Sequence, residues 1–555
     1  MRDRCGFIAR LGLIATLSAC AHDTRFALRG PVTREDDSRP FGRKPRRIPE
    51  LNAPGVIDFG ALRPISHAFL LERPTDALDV NALDEVPDST WFTNRAVSVD
   101  AVREGACANV AEPALPFTVH SRKHGGMTAG FVATDATGRR YALKFDQDES
   151  HQPGLSTAAD AIVSRLYWAV GFNTPCNRVV NVHLEDVQVA PDAAESDQYG
   201  VRHAIDTSAI ASTFASRVHR ADGTVRIGVS HFIEGEPLGP WPSEGQRDDD
   251  PNDTIPHERR RTLRGERLLA AWVSHWDARS ANAFDTWIRV GEGSGFVRHY
   301  QIDFGDALGV HPIDILRADR QGFEYTIPPG MLLADFATFG AIHRPWDDTG
   351  ADPVLPMLGV GFDVRHFDPR AWVPSNPSPR FDAATSRDLA WMARRVARIG
   401  PDELRAALES GQFDDARAIP HLMTILLGRR MRALRWSFED ISPLADVEVR
   451  AEGLCARDLA IVSGVASESN VAYRASVHAQ RDHHDVNVRR VPDGRVCATL
   501  PGNSANSRTP DDSADRYAVL EVRRDEGRHR TRLRAHLYDL GARGWALVGI
   551  ERPDD

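Results

Sequence analysis

The chain of 555 residues carries a formal net charge of −10, and 42% of its residues are hydrophobic. These values are typical of a globular protein, and the length predicts two or three domains. The acidic balance argues against nucleic acid as a partner, because non-specific nucleic-acid binding needs a basic surface.

The first twenty residues have the pattern of an export signal. A basic start precedes an apolar run from Phe7 to Leu17, and small residues precede Cys20, which is typical of a signal peptide. Leu-Ser-Ala-Cys resembles the lipobox of bacterial lipoproteins, in which the cysteine is lipidated. We therefore expect a signal peptide over 1–19 and a lipid anchor on Cys20, at the periplasmic or outer-membrane face of a bacterial envelope. An ordinary secretory signal and a cytosolic protein with an apolar start remain open.

Export places the other cysteines in an oxidising compartment, where they can pair. Cys455 and Cys497 lie in the same C-terminal segment and are the preferred disulfide. A pair of Cys107 with Cys176 is the weaker alternative, because sequence does not determine connectivity.

The composition divides the rest of the chain into three parts. Residues 20–80 are rich in Arg, Pro and Asp without sustained apolar periodicity, which predicts a disordered tether. Residues 81–442 contain strand patterns followed mostly by helical ones. Beyond Ser442, short β-like runs separated by turn residues predict a small β-rich domain over 443–555.

The strand patterns begin at Phe117 with glycine-rich turns. A predicted hairpin loop is followed by strands at Phe131–Thr134 and Tyr141–Phe145, and the second strand carries Lys144. The glycines of the loop are Gly125, Gly126 and Gly130.

A helix is predicted after these strands. Ser156 or Thr157 is suited to cap its start, and its apolar face ends at Val170 before Gly171. Asp160 lies near the start of this helix and off the apolar face.

The segment Val273–Gly305 contains the most informative residues of the chain. Asp277 and Asn282 are five positions apart, and a hairpin-like stretch leads to Asp303-Phe304-Gly305. Phosphoryl transfer needs a carboxylate near the acceptor hydroxyl, and an amide oxygen and a second carboxylate to hold magnesium on the phosphates. Asp277, Asn282 and Asp303 have the residue types and the order for these three tasks.

In this order, the glycine loop, strand lysine, acidic helix residue, Asp-x-x-x-x-Asn and Asp-Phe-Gly resemble the protein-kinase-like superfamily. The similarity is closer to its atypical branches, which include the HipA-like, phosphoinositide-kinase-like and secretory-pathway kinases. The resemblance implies an α+β bilobal fold with ATP and magnesium in the cleft. The β-rich N-lobe would cover about 115–235 and the helical C-lobe about 236–442.

The resemblance also implies roles for single residues. Lys144 would contact the α- and β-phosphates with Asp160 as its partner, and Asp277 would accept the proton of the acceptor. The remaining roles are phosphate approach by the backbone of Gly125, Gly126 and Gly130, charge neutralisation by Arg279, and magnesium ligation by Asn282 and Asp303.

The chain departs from the common kinase pattern at two residues, and its glycine loop does not fit the standard spacing. Asp160 replaces the usual glutamate and is one methylene shorter, so a long salt bridge to Lys144 is expected. Trp276 replaces the arginine that normally receives an activation-loop phosphate. Regulation by that phosphorylation is therefore in doubt.

The residues leave several functions open. The first is a phosphotransferase with an unknown acceptor, a protein or a small molecule, and nucleotidyl transfer is a variant of it. The second is a non-catalytic, pseudokinase-like lipoprotein that acts as a scaffold, and the third is a cytosolic HipA-like kinase. A cluster around His478 and His483 suggests metal binding, but a solvated hairpin turn is favoured there.

Overall fold

The computed structural model describes residues 25–49, 75–122, 130–146, 152–196, 202–311, 320–326, 329–358, 361–479, 482–491, 494–503 and 509–554. The predicted signal peptide, Cys20, Gly125 and Gly126 lie outside these residues. Over the described ranges the protein is a mixed α/β structure. None of the helices in these ranges combines the length and the apolar character needed to cross a bilayer.

Five sheets are formed by twenty strands of the described chain. The strands are β1 (Phe117–Arg122), β2 (Gly130–Thr134), β3 (Arg140–Phe145), β4 (Asn177–Val182), β5 (Val187–Val189), β6 (Ala194–Ser196), β7 (Arg202–Ala204), β8 (Val225–His231), β9 (Glu236–Gly239), β10 (Ala283–Gly291), β11 (Ser294–Gln301), β12 (Leu444–Arg450), β13 (Gly453–Asp458), β14 (Val471–Ala479), β15 (Asp482–Val486), β16 (Val488–Arg490), β17 (Arg495–Ala498), β18 (Tyr517–Glu526), β19 (His529–Asp539) and β20 (Trp545–Glu551).

Ten α-helices lie within the same ranges. They are α1 (Val99–Glu104), α2 (Leu155–Val170), α3 (Thr207–Ala215), α4 (Arg261–Val273), α5 (Pro329–Thr338), α6 (Pro379–Asp382), α7 (Ser386–Val396), α8 (Pro401–Glu409), α9 (Ala418–Ser437) and α10 (Leu459–Val462).

The first sheet has the order β4-β8-β3-β2-β1-β5. Residues alternate across β3, so that Tyr141, Leu143 and Phe145 enter a hydrophobic core shared with α3. Lys144 therefore lies on the opposite face of the sheet, because successive side chains of a strand point to opposite sides. Helix α2 follows β3 in the chain and packs beside β4 and β8.

A second hydrophobic core joins α2 to the helices that follow. Trp272 of α4, Trp391 of α7 and Leu426 of α9 are buried in it. Between α4 and these later helices, β10 and β11 form a hairpin that also pairs with β9. This hairpin is the insertion that the sequence predicts between Asn282 and Asp303.

The N-terminal segment differs from its prediction. Residues 25–49 pack against the rest of the folded chain, although the composition predicts a disordered tether over 20–80. The Phe26 amide donates to Tyr517 Oη at 3.1 Å, the Phe41 amide to the Gly295 carbonyl at 2.8 Å, and the Ile48 amide to the Leu238 carbonyl at 2.7 Å. Such backbone pairing needs no apolar periodicity in the segment, so the sequence pattern did not indicate it.

The C-terminal strands form two sheets, β12-β13-β17-β16 and β15-β14-β18-β19-β20. Both contribute to one hydrophobic cluster that includes Leu454, Leu520 and Leu533. Cys455 and Cys497 are direct partners on β13 and β17 and form a disulfide, the pair that the sequence favoured. Cys107 and Cys176 form a second disulfide.

The disulfides can be tested by thiol labelling. We expect that iodoacetamide leaves all four of these cysteines unmodified in denatured, unreduced protein. Replacing Cys455 and Cys497 together by alanine should lower the free energy of unfolding by about 3 kcal/mol, since the cross-link restricts the unfolded chain. Peptide mass mapping and urea denaturation give the two readouts. Labelling of Cys455 without a reductant would contradict the pairing.

Candidate functional site

Lys144 stands on β3 between two glycines. Gly130 of β2 and Gly228 of β8 are its direct partners on the neighbouring strands. Neither contributes a side chain, so no side chain flanks the lysine on either adjacent strand. Lys144 is also unusual for this chain, because the sequence contains only two other lysines, Lys44 and Lys123, among 68 basic residues.

Asp160 lies in the second turn of α2 and pairs with Lys144. The Lys144 Nζ lies 2.9 Å from Asp160 Oδ2. The expectation of a long salt bridge is therefore wrong. A Cβ on Gly228 would lie 3.3 Å from Thr157 Cγ2, so the glycine lets α2 approach the sheet closely enough for the shorter acid to reach.

Asp303 completes the cluster from a third part of the chain. The Lys144 Nζ donates to Asp303 Oδ1 at 2.8 Å. Asp303 has a φ of 59°, a left-handed conformation in which a non-glycine residue needs support from its surroundings. That support includes the Phe304 amide, which donates to Asp160 Oδ1 at 2.9 Å, and Ser156 Oγ, which donates to the Gly305 carbonyl at 2.8 Å.

Burial and ion pairing have opposite effects on the charged state of Lys144. Burial by itself lowers the pKa of Lys144, but the carboxylates of Asp160 and Asp303 outweigh it and raise that pKa above its ordinary value. The ammonium thus stays charged between the two acidic side chains. The Lys144 side chain is 12% exposed, whereas that of Asp303 is 34% exposed. Asp303 is therefore the more accessible of the two acids, since the side chain of Asp160 is 4% exposed.

Asp277 and Asn282 lie in the loop that follows α4. The Asn282 Nδ2 donates to the Asp277 carbonyl at 2.8 Å and to Asp277 Oδ2 at 3.0 Å. The Ile302 amide donates to the Asn282 carbonyl at 2.9 Å. This last hydrogen bond places Asn282 next to the residue before Asp303, although 21 positions separate them in the sequence.

The carboxylate of Asp277 has two further neighbours. Ser375 Oγ donates to Asp277 Oδ1 at 3.1 Å, and Arg279 Nε forms an ion pair with the same oxygen at 2.8 Å. Burial raises the pKa of Asp277 to about 6; Arg279 and His275 oppose the rise, and Asp306 adds to it. The carboxylate is thus mostly ionised at neutral pH but more basic than an ordinary aspartate.

Sequence reasoning missed two residues of this site. Ser375 precedes α6 and belongs to no motif, so the sequence held no signal for it. Asp306 follows Asp303-Phe304-Gly305 directly, and its carboxylate accepts hydrogen bonds from His275 Nδ1 at 2.9 Å and from the Asp277 amide. The only signal was its place beside a motif already identified.

The loop glycines and the histidine cluster, the remaining candidates from the sequence, do not all lie at this site. Gly130 lies at the site, while Gly125 and Gly126 fall outside the described residues. His478 and His483 face each other across β14 and β15. No group of three or more His, Cys, Asp or Glu side chains is placed to hold a metal ion in the described part of the chain.

Comparison with known proteins gives little further information. No family model matches the chain, and no curated protein matches it by sequence. A solved structure of the Golgi casein kinase is similar at 11% identity and a TM-score of 0.22, covering 57% of this chain and 78% of that one. The Golgi casein kinase with Mn/ADP bound is similar at 10% identity and a TM-score of 0.20, covering 60% and 79%. Similarity this weak does not establish a shared function.

The electrostatics of Asp277 give a direct test. We expect its carboxyl group to titrate near pH 6, and Arg279→Met to raise that pKa further, because the substitution removes a cation that favours the ionised form. Carboxyl ¹³C NMR measures both values. Arg298→Met, which removes an arginine paired with Glu234, is the matched control and should leave the titration unchanged. A wild-type value near 4 would contradict the burial of this group.

Proposed function

We propose that this protein is a phosphotransferase of kinase-like fold that uses ATP and magnesium and is anchored by lipid at the cell envelope, with an unknown acceptor. One observation carries the proposal. Lys144, Asp160 and Asp303 come from a strand, a helix and a loop up to 159 positions apart and meet in one ion-paired cluster. Structural ion pairs also occur in proteins, but this cluster joins the residues that the kinase-like motifs had selected.

The proposal includes a bilobal arrangement. The first sheet with its own hydrophobic core would form the small lobe. The core that unites α4, α7, α8 and α9 would form the helical lobe. Lys144 belongs to the first and Asp277 to the second, so the site would lie in the cleft between them.

The nucleotide phosphates would lie beside Lys144. Gly130 places no side chain beside the lysine on β2, so phosphates would approach the ammonium from that side. The choice of lysine supports this role, because a chain so rich in arginine keeps a lysine here. Lysine acts as a compact point charge, whereas the planar guanidinium of arginine needs a wider space.

Asn282 and Asp303 fit a divalent cation. Both offer hard oxygen ligands, which magnesium prefers. The Asn282 Nδ2 is engaged with Asp277, so Oδ1 is the atom of this amide that would bind the ion. Bound ATP would supply the phosphoryl group, and the magnesium ion would neutralise the charge that develops on it.

Asp277 would act on the acceptor. Its carboxylate would accept a hydrogen bond from the acceptor hydroxyl and take the proton as phosphoryl transfer proceeds. Ser375 and Asn282 hold the carboxylate in place through hydrogen bonds. A pKa near 6 suits this task, since the group is ionised at neutral pH and still basic enough to accept a proton.

Nucleotide binding is tested by thermal unfolding. With ATP and magnesium at about one hundred times the dissociation constant, we expect the wild type to gain about 2.7 kcal/mol of stability. Lys144→Arg and Asp303→Asn should lose this gain, because each removes a group that holds the phosphates or the metal. Lys44→Arg is the matched control, since Lys44 forms a half-exposed pair with Glu236, and it should keep the gain.

The same proteins separate binding from chemistry. Asp277→Asn should retain the thermal shift but lower ADP release by about 10²-fold or more. A wild type that gains no stability from ATP and magnesium would refute the enzymatic proposal. An equal shift in wild type and Asp303→Asn would refute the metal assignment.

Anchoring is a separate prediction. We expect cells fed with labelled palmitate to incorporate the label into the wild-type protein and to place it in the membrane fraction. Cys20→Ala should carry no label, because the thiol that accepts the lipid is gone. Cys5→Ala is the control and should be labelled normally. Wild-type protein without label would remove lipid anchoring from the proposal.

A further inference from the structure

We propose that Asp306 is a positioning residue for the transfer reaction, and that it holds the Asp277 loop in place by accepting hydrogen bonds with both carboxylate oxygens. This inference rests on the proposed function, because it assigns Asp277 to the chemistry. It adds a residue that the kinase-like motifs of the sequence did not select.

The contacts of Asp306 are specific. Its Oδ1 accepts a hydrogen bond from His275 Nδ1 at 2.9 Å, and its Oδ2 accepts one from the Asp277 backbone amide. His275 is only 2% exposed, and its ring packs against Phe304 and Tyr167. One carboxylate thus holds both the residue that precedes Trp276 and the residue that follows it.

Both oxygens are needed for this arrangement. The two partners are N–H donors, so each requires an acceptor. Asparagine at 306 would offer one acceptor oxygen and would turn its own NH₂ group toward the other donor. The change is nearly isosteric, and it would release one side of the loop without creating a cavity.

The same segment also carries Asp303. The Ala307 amide donates to the Phe304 carbonyl at 3.1 Å, and the Leu308 amide donates to the Val273 carbonyl at 2.9 Å. Residues 303–308 therefore form a tight turn bonded to the end of α4. Asp306 transmits the position of this turn to Asp277, so that the proposed proton acceptor and the proposed metal ligand keep a fixed relation.

A metal-binding role for Asp306 would conflict with these contacts. Both of its oxygens face N–H donors, and a cation at either oxygen would displace one of them. The hydrogen bond between Asp306 and His275 therefore favours a positioning role. Replacing a metal ligand would change the magnesium requirement of the reaction, whereas replacing a positioning residue would not.

The test compares Asp306→Asn with a matched control. Asp363 also uses its two oxygens for one histidine, accepting from His366 Nδ1 at 2.6 Å and from the His366 amide at 2.7 Å. Asp363→Asn therefore removes a carboxylate with the same kind of partners in another loop. The measured quantities are ADP release from Mg–ATP with water as acceptor, its magnesium dependence, and the melting temperature.

We expect Asp306→Asn to lower kcat by about 10²-fold, the usual effect of a small displacement of a reacting group. The KM for ATP and the magnesium concentration at half-maximal rate should stay within about twofold of wild type. Asp363→Asn should leave kcat unchanged. Because Asp306 acts through Asp277, the substitution should have no further effect on the residual rate of Asp277→Asn.

Each other outcome overturns the assignment. A kcat equal to that of Asp363→Asn means that Asp306 does not position the loop, and a shifted magnesium requirement makes it a metal ligand. A further loss in the Asp277→Asn background means that it acts independently of Asp277. If Asp306→Asn does not fold, His275→Leu removes one of the two hydrogen bonds and must lower kcat in the same manner. A wild type without turnover refutes the proposed function and this inference together.

Discussion

The buried ammonium of Lys144 is the interaction on which the site depends. It lies between Asp160 and Asp303 at 2.9 and 2.8 Å and thereby joins the first sheet, α2 and the loop after β11. Breaking a buried ion pair by removing one partner typically costs about 3–5 kcal/mol, because a charge is left uncompensated. The cluster therefore stabilises the contact between these elements, and Asp303 is its more accessible acid.

Two glycines make this cluster possible. Gly228 lets α2 come close to the sheet, and Gly130 places no side chain beside Lys144 on β2. The first effect explains why an aspartate reaches the lysine although a glutamate is usual in the family it resembles. The second leaves Lys144 without a side-chain neighbour on that strand. Small residues on the strands thus determine how closely the helix packs and what flanks the ammonium.

The second group of polar residues is arranged around Asp277. Asn282, Ser375 and Arg279 surround its carboxylate, and Asp306 holds its backbone. The β10–β11 hairpin separates Asn282 from Asp303 in the chain, yet the Ile302 amide returns to the Asn282 carbonyl at 2.9 Å. The two ends of an antiparallel hairpin lie side by side, so this insertion keeps Asn282 next to the residue that precedes Asp303.

The sequence alone determined which residue types follow one another: a lysine on a strand, an acid on the next helix, Asp-x-x-x-x-Asn and Asp-Phe-Gly. It also indicated the hairpin between the last two motifs and the cysteines that pair on β13 and β17. Strand alternation and helix periodicity carry this information, because they decide which side chains share a face. Only the tertiary structure decided that Asp160 reaches Lys144, which groups Asp306 and Ser375 contact, and that residues 25–49 dock on the fold. These depend on distances between elements and on backbone pairing, and neither leaves a local pattern in the sequence.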